Sequence, residues 1–403
     1  MQKVAVVGGG VSGLAAAWHL HTQSEAGSIE VHVFEADTRL GGHAQTLTLN
    51  TKNVTARDYS NGTAASLAGE SAGADEEKKS DEDAAIARNN EKDEVDIDCG
   101  FMVFNDGNYP NMTRWFDALN VKGEDTDMSL SVSLDEGKKE WSSHSLRGLF
   151  ANPLQAIKPE FYVFLRDLMR FNSSAGELLL KPSDDPARQV SIQEFLVREN
   201  YSEAFASYYL LPMMAALWSA SVEDVMAFPA SSLVEFMCNH KMLQLFNRPQ
   251  YQTPAGRSIQ YTSKMAEILG QNAHTGTPIV ALNKTGESSY ELFTTGNVSL
   301  GVFDHVVFAC HSDQALKILS TDQSKTIDPR LMSALAKIEY GENVVYVHSD
   351  PELMPKRKAA WGSWNCMGKS EWLSTHRHVA GGKEREAMEG SGECLLTHFV
   401  AIL

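Results

Sequence analysis

The stretch KVAVVGGGVSGLAAAWHL at residues 3–20 constrains this chain more than any other. Val4 to Val7 predict a strand, a run of glycines follows, and residues from Ser12 to about Gln23 predict a helix. Gly8, Gly10 and Gly13 stand as G-x-G-x-x-G within that strand–turn–helix context. Gly8 permits the tight turn, Gly10 lets the backbone approach a pyrophosphate, and Gly13 lets helix and strand pack closely. The helix amino end would then offer unpaired N–H groups and a partial positive charge to an anion. A second strand is expected from Glu30 to Phe34, with Glu35 directly after it. An acid about 20 residues past the glycines accepts from ribose hydroxyls and repels a 2′-phosphate. A glycine-rich turn in some other α/β protein lacks that acid. The pattern is that of a dinucleotide site.

The remaining composition narrows the class. A chain of 403 residues, 43% hydrophobic and 22% charged, is ordinary globular material and long enough for two or three domains. Its net charge of −17 repels a phosphate backbone, so no nucleic-acid partner is expected. Cys99, Cys238, Cys310, Cys366 and Cys394 are scattered and never spaced as C-x-x-C. Free thiols in a reducing compartment are expected, with no metal site. The first strand starts at Lys3, which leaves no room for a leader ahead of it, and no apolar run is long enough to span a bilayer. A cytoplasmic protein without a transmembrane segment is expected, and the sequons at Asn111 and Asn172 then read as chance matches.

The order along the chain is β-α-β, a helical insert, then a β-rich return. Residues 51–94, including LAGESAGADEEKKSDEDAAIARNNEKDE, carry few large apolar side chains and are expected to be a disordered acidic insertion. VDIDCGFMVFND (95–106) reads as a strand entering a turn. Residues 108–250 read as mainly helical, with Phe161, Phe164, Leu165, Leu168 and Met169 on one face and Pro212 at a kink or break. Strand character returns in TPIVALNK, YELFTT and FDHVVFACHSDQAL. The expected fold class is α/β: a Rossmann-like dinucleotide domain, three-layered with a mostly parallel sheet, interrupted by a mainly helical substrate domain. The boundaries are 1–50 with 95–107 and 251–345 for the first, 108–250 for the second, and 346–403 as a partial second piece of the substrate domain.

The residues just after Glu35 decide which dinucleotide binds. EADTRLGG (35–42) matches E-x-x-x-R-x-G-G, in which Gly41 and Gly42 admit a second backbone approach to the diphosphate and Arg39 adds a charge-assisted bond. This extension resembles the flavoprotein superfamily of amine oxidases, protoporphyrinogen oxidase and phytoene desaturases. Further blocks, among them GFMVFNDGNYPNMTRWFDALNV, YYLLPMMAALWSA, RPQYQTPAGRSIQYT, FDHVVFACHSDQALKIL and LMPKRKAAWGSWNC, resemble one subfamily. It comprises oxidoreductases encoded beside, or fused to, cyclopropane-fatty-acyl-phospholipid synthases. The resemblance spans nearly the whole chain apart from the acidic insertion and the last few dozen residues.

That resemblance implies FAD, held non-covalently, and hydride transfer from an apolar substrate, a fatty-acyl or isoprenoid chain, to flavin N5. A cyclopropane-fatty-acyl synthase is its implied partner. It puts Gly8, Gly10, Gly13, Glu35, Arg39, Gly41 and Gly42 on FAD and His43 near the isoalloxazine. The backbone at Val280 would hold the adenine, and Ala309 and His311 would lie beside the cofactor. Gly256 and Ser258 would fall in a return segment close to the flavin. Flavin chemistry is done mostly by the cofactor, so no catalytic side chain is named. Phe161, Phe164, Met169, Tyr208, Tyr209, Met213, Met214 and Trp218 line an apolar tunnel or, more commonly for such stripes, form plain core. The superfamily's closing glycine-rich signature has no match after GSWNCMG. A truncated product or a misread frame is therefore expected over HVAGGKEREAMEGSGECLLTHFVAIL. Three alternatives stay open: a non-catalytic flavin-fold partner of a lipid-modifying methyltransferase, an amine oxidase, and an NAD(P)-dependent dehydrogenase, the last disfavoured by Arg39-x-Gly41-Gly42.

Overall fold

The computed structural model describes residues 1–25, 27–50, 94–244, 248–324, 326–341, 344–347, 350–370 and 395–397. The acidic insertion lies outside the described residues except for Glu94, as does most of the stretch after residue 370. The chain runs β1 (Gln2–Val7), α1 (Val11–Gln23) and β2 (Ile29–Phe34), then β3 (Thr46–Asn50) and β4 (Glu94–Asp98). Next come α2 (Pro110–Ala118), β5 (Gly123–Thr126), β6 (Leu130–Leu134) and β7 (Lys139–Ser142). The helical stretch holds α3 (Pro159–Ser174), α4 (Ile192–Arg198), α5 (Leu211–Trp218) and α6 (Ala230–Asn239), with shorter helical turns between them. The return comprises β8 (Tyr251–Pro254), α7 (Ile259–Leu269), β9 (Ala273–His274), β10 (Ala281–Gly286), β11 (Ser289–Thr294), β12 (Val298–Phe303), β13 (His305–Phe308) and α8 (Ser312–Leu319). Last come β14 (Trp364–Gly368) and β15 (Leu395–Thr397).

The dinucleotide part has three layers. Its centre is a parallel sheet in the order β13-β1-β2-β9, with Val4 opposite both His305 and Val31. Successive side chains of a strand point to opposite faces, and β1 is apolar on both. Val6 packs with Val31, Val33, Leu14, Ala17, Tyr261 and Met265 beneath α1 and α7. Ala5 and Val7 pack with Phe34, Leu282, Leu292 and Phe303 against the antiparallel sheet β10-β11-β12. A continuous apolar run such as VAVV is what a doubly covered parallel strand requires. The strands β3 and β4 form an antiparallel ladder from Thr46↔Asp98 to Asn50↔Glu94, so the chain leaves and re-enters this part at one place.

The 108–250 stretch contains strands as well as helices. A hairpin of β6 and β7 is joined in parallel by β14, which brings residues 364–368 of the late chain onto this unit. Phe161, Phe164, Phe171 and Phe205 are fully buried in its core, each contributing about 1.5–3 kcal/mol of burial. Met169 does not share the α3 face assigned from its spacing: it is 62% exposed, and the buried face is Phe161, Phe164, Asp167 and Phe171. The side chains considered for a tunnel are mostly packed interior: Phe161, Phe164, Tyr208, Tyr209, Met213 and Met214 are all buried.

Pro212 marks a change of helix type and not a break, since Leu210 and Leu211 both keep helical φ and ψ. A π-helical turn, Ala206–Leu210, precedes α5, and Pro212 lies in the first turn of that helix. Proline has no N–H to offer the carbonyl four residues earlier. That carbonyl, on Tyr208, instead accepts from the Trp141 indole at 2.9 Å. The bulge is thus tied to the β6–β7 hairpin.

Two buried carboxylates fasten the same unit. Glu140, with no solvent exposure, accepts from Ser133 Oγ at 2.8 Å, Lys356 N at 2.7 Å and Arg357 Nη1 at 2.8 Å. Asp167, equally buried, accepts from Arg166 and from Ser202 N. Burial would raise its carboxyl, but the Ser202 and Arg166 bonds hold it below the ordinary carboxylate range.

Candidate cofactor site

The β1–α1 turn is built around the absence of side chains. Gly8 has φ +108, and a Cβ there would lie 2.8 Å from the Ala309 carbonyl oxygen. A Cβ on Gly13 would collide with the Gly8 carbonyl, so the helix sits directly on the turn. Gly10 caps α1 with no side-chain hydrogen bond, and no acidic residue occupies the helix's first turn. The helix amino end is therefore open to an anion.

The second glycine turn closes on the first. Gly41 pairs with Gly10 in a parallel bridge, and its N–H donates to the Gly9 carbonyl at 2.8 Å. Gly41 has φ +117 and Gly42 φ +58, both in the region that favours glycine. A Cβ on Gly10 would meet only the Gly42 Cα, at 3.9 Å, which leaves that face free for close approach. Glu35 reaches the turn from β2: one carboxylate oxygen accepts from Gly9 N at 2.7 Å, the other from Asp37 N at 2.8 Å. The acid is thus pre-oriented by backbone N–H groups, with lone pairs left for hydroxyl donors.

Gly8, Gly10, Gly13, Glu35, Gly41 and Gly42 are brought together with Ala309, whose N–H donates to the Val7 carbonyl at 2.8 Å. Arg39 turns back onto the chain. Its guanidinium donates to the Gly42 carbonyl at 2.9 Å and to Gln45 Oε1 at 3.2 Å, and lies 3.3 Å from Asp37. It braces the second glycine turn. Val280 is 42% exposed, and its N–H is taken by the Phe293 carbonyl at 2.9 Å. His43 is exposed beside His311, their ring centroids 5.5 Å apart.

Gly256 has φ +77, and Ser258 is fully buried. Ser258 donates from both N and Oγ to Asp98, which also accepts from Thr46 Oγ1 at 2.7 Å. Asp98 is 5% exposed and sits at the amino end of α7, where a carboxylate is favoured. It locks the β3–β4 ladder to the helix beneath the glycine turns. Sequence reasoning missed Asp98, because one acid in VDIDCG carries no motif. It also missed Gly9, where a Cβ would meet Leu40 and Glu35, and Gly100, where it would collide with the His43 carbonyl. The unbroken GGG run was the available signal for Gly9.

From Gly100 an aromatic path leads away from the cradle. Phe101 and Tyr109 have centroids 5.8 Å apart, Tyr109 and His240 6.0 Å, and Phe236 stacks on His240 at 4.3 Å. Burial pushes the Tyr109 phenol up and the His240 imidazole down, so both are neutral at pH 7.

A family model described as flavin containing amine oxidoreductase matches residues 87–378, and one described as an NAD(P)-binding Rossmann-like domain matches residues 6–68. Among solved structures, putrescine oxidase bound to putrescine aligns with TM-score 0.53 at 16% identity, over 83% of this chain and 63% of that one. Cyclohexylamine oxidase from Brevibacterium oxydans IH-35A gives 0.52 at 17%, with coverage of 83% and 63%. A CLA-producing fatty acid isomerase from P. acnes gives 0.50 at 14%, over 83% and 64%. This chain spans less than two thirds of the length of those proteins, and the likeness shows a shared fold. A comparison with curated proteins finds no match. The glycine turns that leave a path for a diphosphate, and the acid oriented beside them, fit FAD. With the first model covering well over half of its residues, the chain belongs to the family of flavin containing amine oxidoreductases, with FAD as its cofactor.

Proposed function

We propose that this chain is an FAD-dependent oxidoreductase that removes a hydride from a C–H bond of a substrate with an apolar body. The observation that carries this reading is the pair of interlocked glycine turns with Glu35 between them. Bound FAD supplies the hydride acceptor, flavin N5. The protein's contribution is placement. The open end of α1 holds the diphosphate, Glu35 accepts from the ribose, and the half-buried aromatic path from Phe101 to Phe236 receives the substrate. Neutral Tyr109 and His240 orient it without a fixed charge.

A fatty-acyl or isoprenoid chain is the first substrate reading, in keeping with those uncharged walls. An amine is the second, favoured by the description of the matching family. Association with a cyclopropane-fatty-acyl synthase and a cytoplasmic setting complete the proposal. No helix among the described residues is long and apolar enough to cross a membrane.

The test is spectroscopic. Purified protein should carry the visible absorption of a flavin, and anaerobic addition of an unsaturated fatty acid should bleach it where an alkylamine does not. Bleaching by the amine alone moves the assignment to the second reading. A colourless protein that takes up no added FAD overturns the function. Co-purification with the synthase tests the partner.

A further inference from the structure

We propose that the exposed face of residues 146–158 docks on an anionic lipid surface, so that the protein sits on a membrane without crossing it. Attachment of this kind is independent of FAD and of what the enzyme oxidises.

The segment is folded inside out. It consists of two helical turns, Leu146–Leu149 and Pro153–Ala156. Leu146 and Ile157 are 78% exposed and Leu154 is 67% exposed, whereas Asn152 and Gln155 beside them are 3% exposed. Burying amides and displaying aliphatic side chains reverses the ordinary order. Leu146 and Phe150, four residues apart, share one side of the first turn, and Leu154 and Ile157, three apart, share one side of the second.

The reversal is fixed by hydrogen bonds. Asn152 Nδ2 donates to the Lys138 carbonyl at 2.8 Å, and its Oδ1 accepts from Leu154 N at 3.1 Å. Gln155 Oε1 accepts from Glu140 N at 2.7 Å. Gly148 is buried where a Cβ would lie 3.1 Å from the Ala359 carbonyl oxygen. Both turns are therefore fastened by their polar side to the β6–β7 hairpin and to the stretch around Ala359. The aliphatic tips cannot turn inward without breaking these bonds.

The charge around the tips runs against the rest of the molecule. The chain carries −17 overall, yet residues 141–159 contain no acid. Arg147 and Lys158 are exposed within the segment, and Lys138 is exposed on the hairpin turn that Asn152 grips. Lys356 and Lys358 are exposed on the stretch that Gly137 and Gly148 abut. The acids at the margin are Glu136 on the turn, Glu160 3.9 Å from Lys139, and Asp127 3.2 Å from His144.

Apolar tips in a basic setting match an anionic leaflet, which attracts lysine and arginine at its surface and accepts aliphatic side chains at the acyl boundary. At physiological salt the Debye length is about 8 Å, so acids elsewhere on the chain are screened from that contact. A second copy fits worse, because a symmetric pairing through this face sets the same lysines against one another. With no spanning helix among the described residues, the mode is surface attachment.

The experiment is sedimentation of the full chain with vesicles of phosphatidylcholine alone or with about 30% phosphatidylserine. Binding to the anionic vesicles should be stronger by about tenfold or more. Raising the salt to about 1 M, where the Debye length is about 3 Å, should release the protein. Leu154→Asp/Ile157→Asp should weaken binding by about tenfold or more. Lys138→Gln/Lys158→Gln should weaken it by about fivefold for each charge removed. Lipid and salt dependence are read on the unmodified chain, so the test stands even where a variant fails to fold. No binding, or equal binding to both kinds of vesicle, overturns the proposal, as does unchanged binding by either folded variant. A dimer that the same substitutions dissociate, without vesicle binding, gives the face to a second copy and overturns it too. Flavin content is measured alongside: a yellow protein that ignores vesicles removes only the attachment, and a colourless one that binds them removes only the flavin reading.

Discussion

The dinucleotide part and the helical unit use opposite strategies. In the first, function is presented by backbone: Gly8, Gly13 and Gly41 matter because a Cβ would collide with main-chain atoms, and Glu35 is aimed by N–H groups. In the second, backbone is shielded and specificity lies in buried side chains, with Glu140 and Asp167 each wrapped by donors from distant segments. Backbone sites are therefore sensitive to added atoms, and side-chain knots to removed ones.

That contrast can be broken by substitution. The largest effect is expected from Glu140→Ala, which leaves Arg357 and the Lys356 amide without their shared acceptor. The Arg357 side chain is 37% exposed and can turn to water, but each buried donor left without its acceptor costs about 1–3 kcal/mol, measured as a fall in urea unfolding free energy, while FAD affinity per folded molecule should hold. If FAD affinity falls in parallel, the two regions are not separable as described.

Gly13→Val should cost about 1–3 kcal/mol from overpacking against the Gly8 carbonyl and also abolish flavin retention. A variant that stays yellow contradicts the geometry of the turn.

Trp141→Phe removes the donor to the Tyr208 carbonyl and should destabilise by about 1–3 kcal/mol. Combining it with Pro212→Ala, which returns an N–H to the helix, should recover part of that loss. Additive losses would mean the indole bond does not compensate for the proline.

Glu35→Gln sharpens the comparison from the other side. It should weaken FAD binding by about tenfold, roughly 1.4 kcal/mol, and also lower the unfolding midpoint of the flavin-free protein, because an amide keeps only one of the two oxygens that accept from Gly9 N and Asp37 N.

The smallest effect concerns acid. Asp167 has a lowered folded-state pKa, so its contribution is complete above the unfolded value of about 3.9. That contribution fades as pH falls through the lowered value. Asp167→Asn should therefore steepen less than the parent chain on acid unfolding below about pH 4; identical acid limbs would remove Asp167 from the account.

Legibility divides along the same line. Gly8, Gly10, Gly13 and Glu35 were readable because each is required by local geometry at fixed sequence spacing, and the structure brings them within one cradle. Arg39 was identified, but its partners were not, since nothing in EADTRLGG tells whether a guanidinium turns outward or back onto Gly42. The periodicity of α3 put Met169 on the inner face and overlooked Asp167, because period alone cannot foresee a carboxylate buried by donors from Ser202.

The sequence by itself determined the strand–turn–helix, the acid after it and the second pair of glycines, because short-range sterics leave a chain of that kind little choice. Only the tertiary structure decided that β14 joins β6, that Asp98 caps α7, and that His43 meets His311. Those pairings join residues up to hundreds of positions apart. Long-range packing selects them, and no local pattern of residues encodes which distant surface will be buried against which.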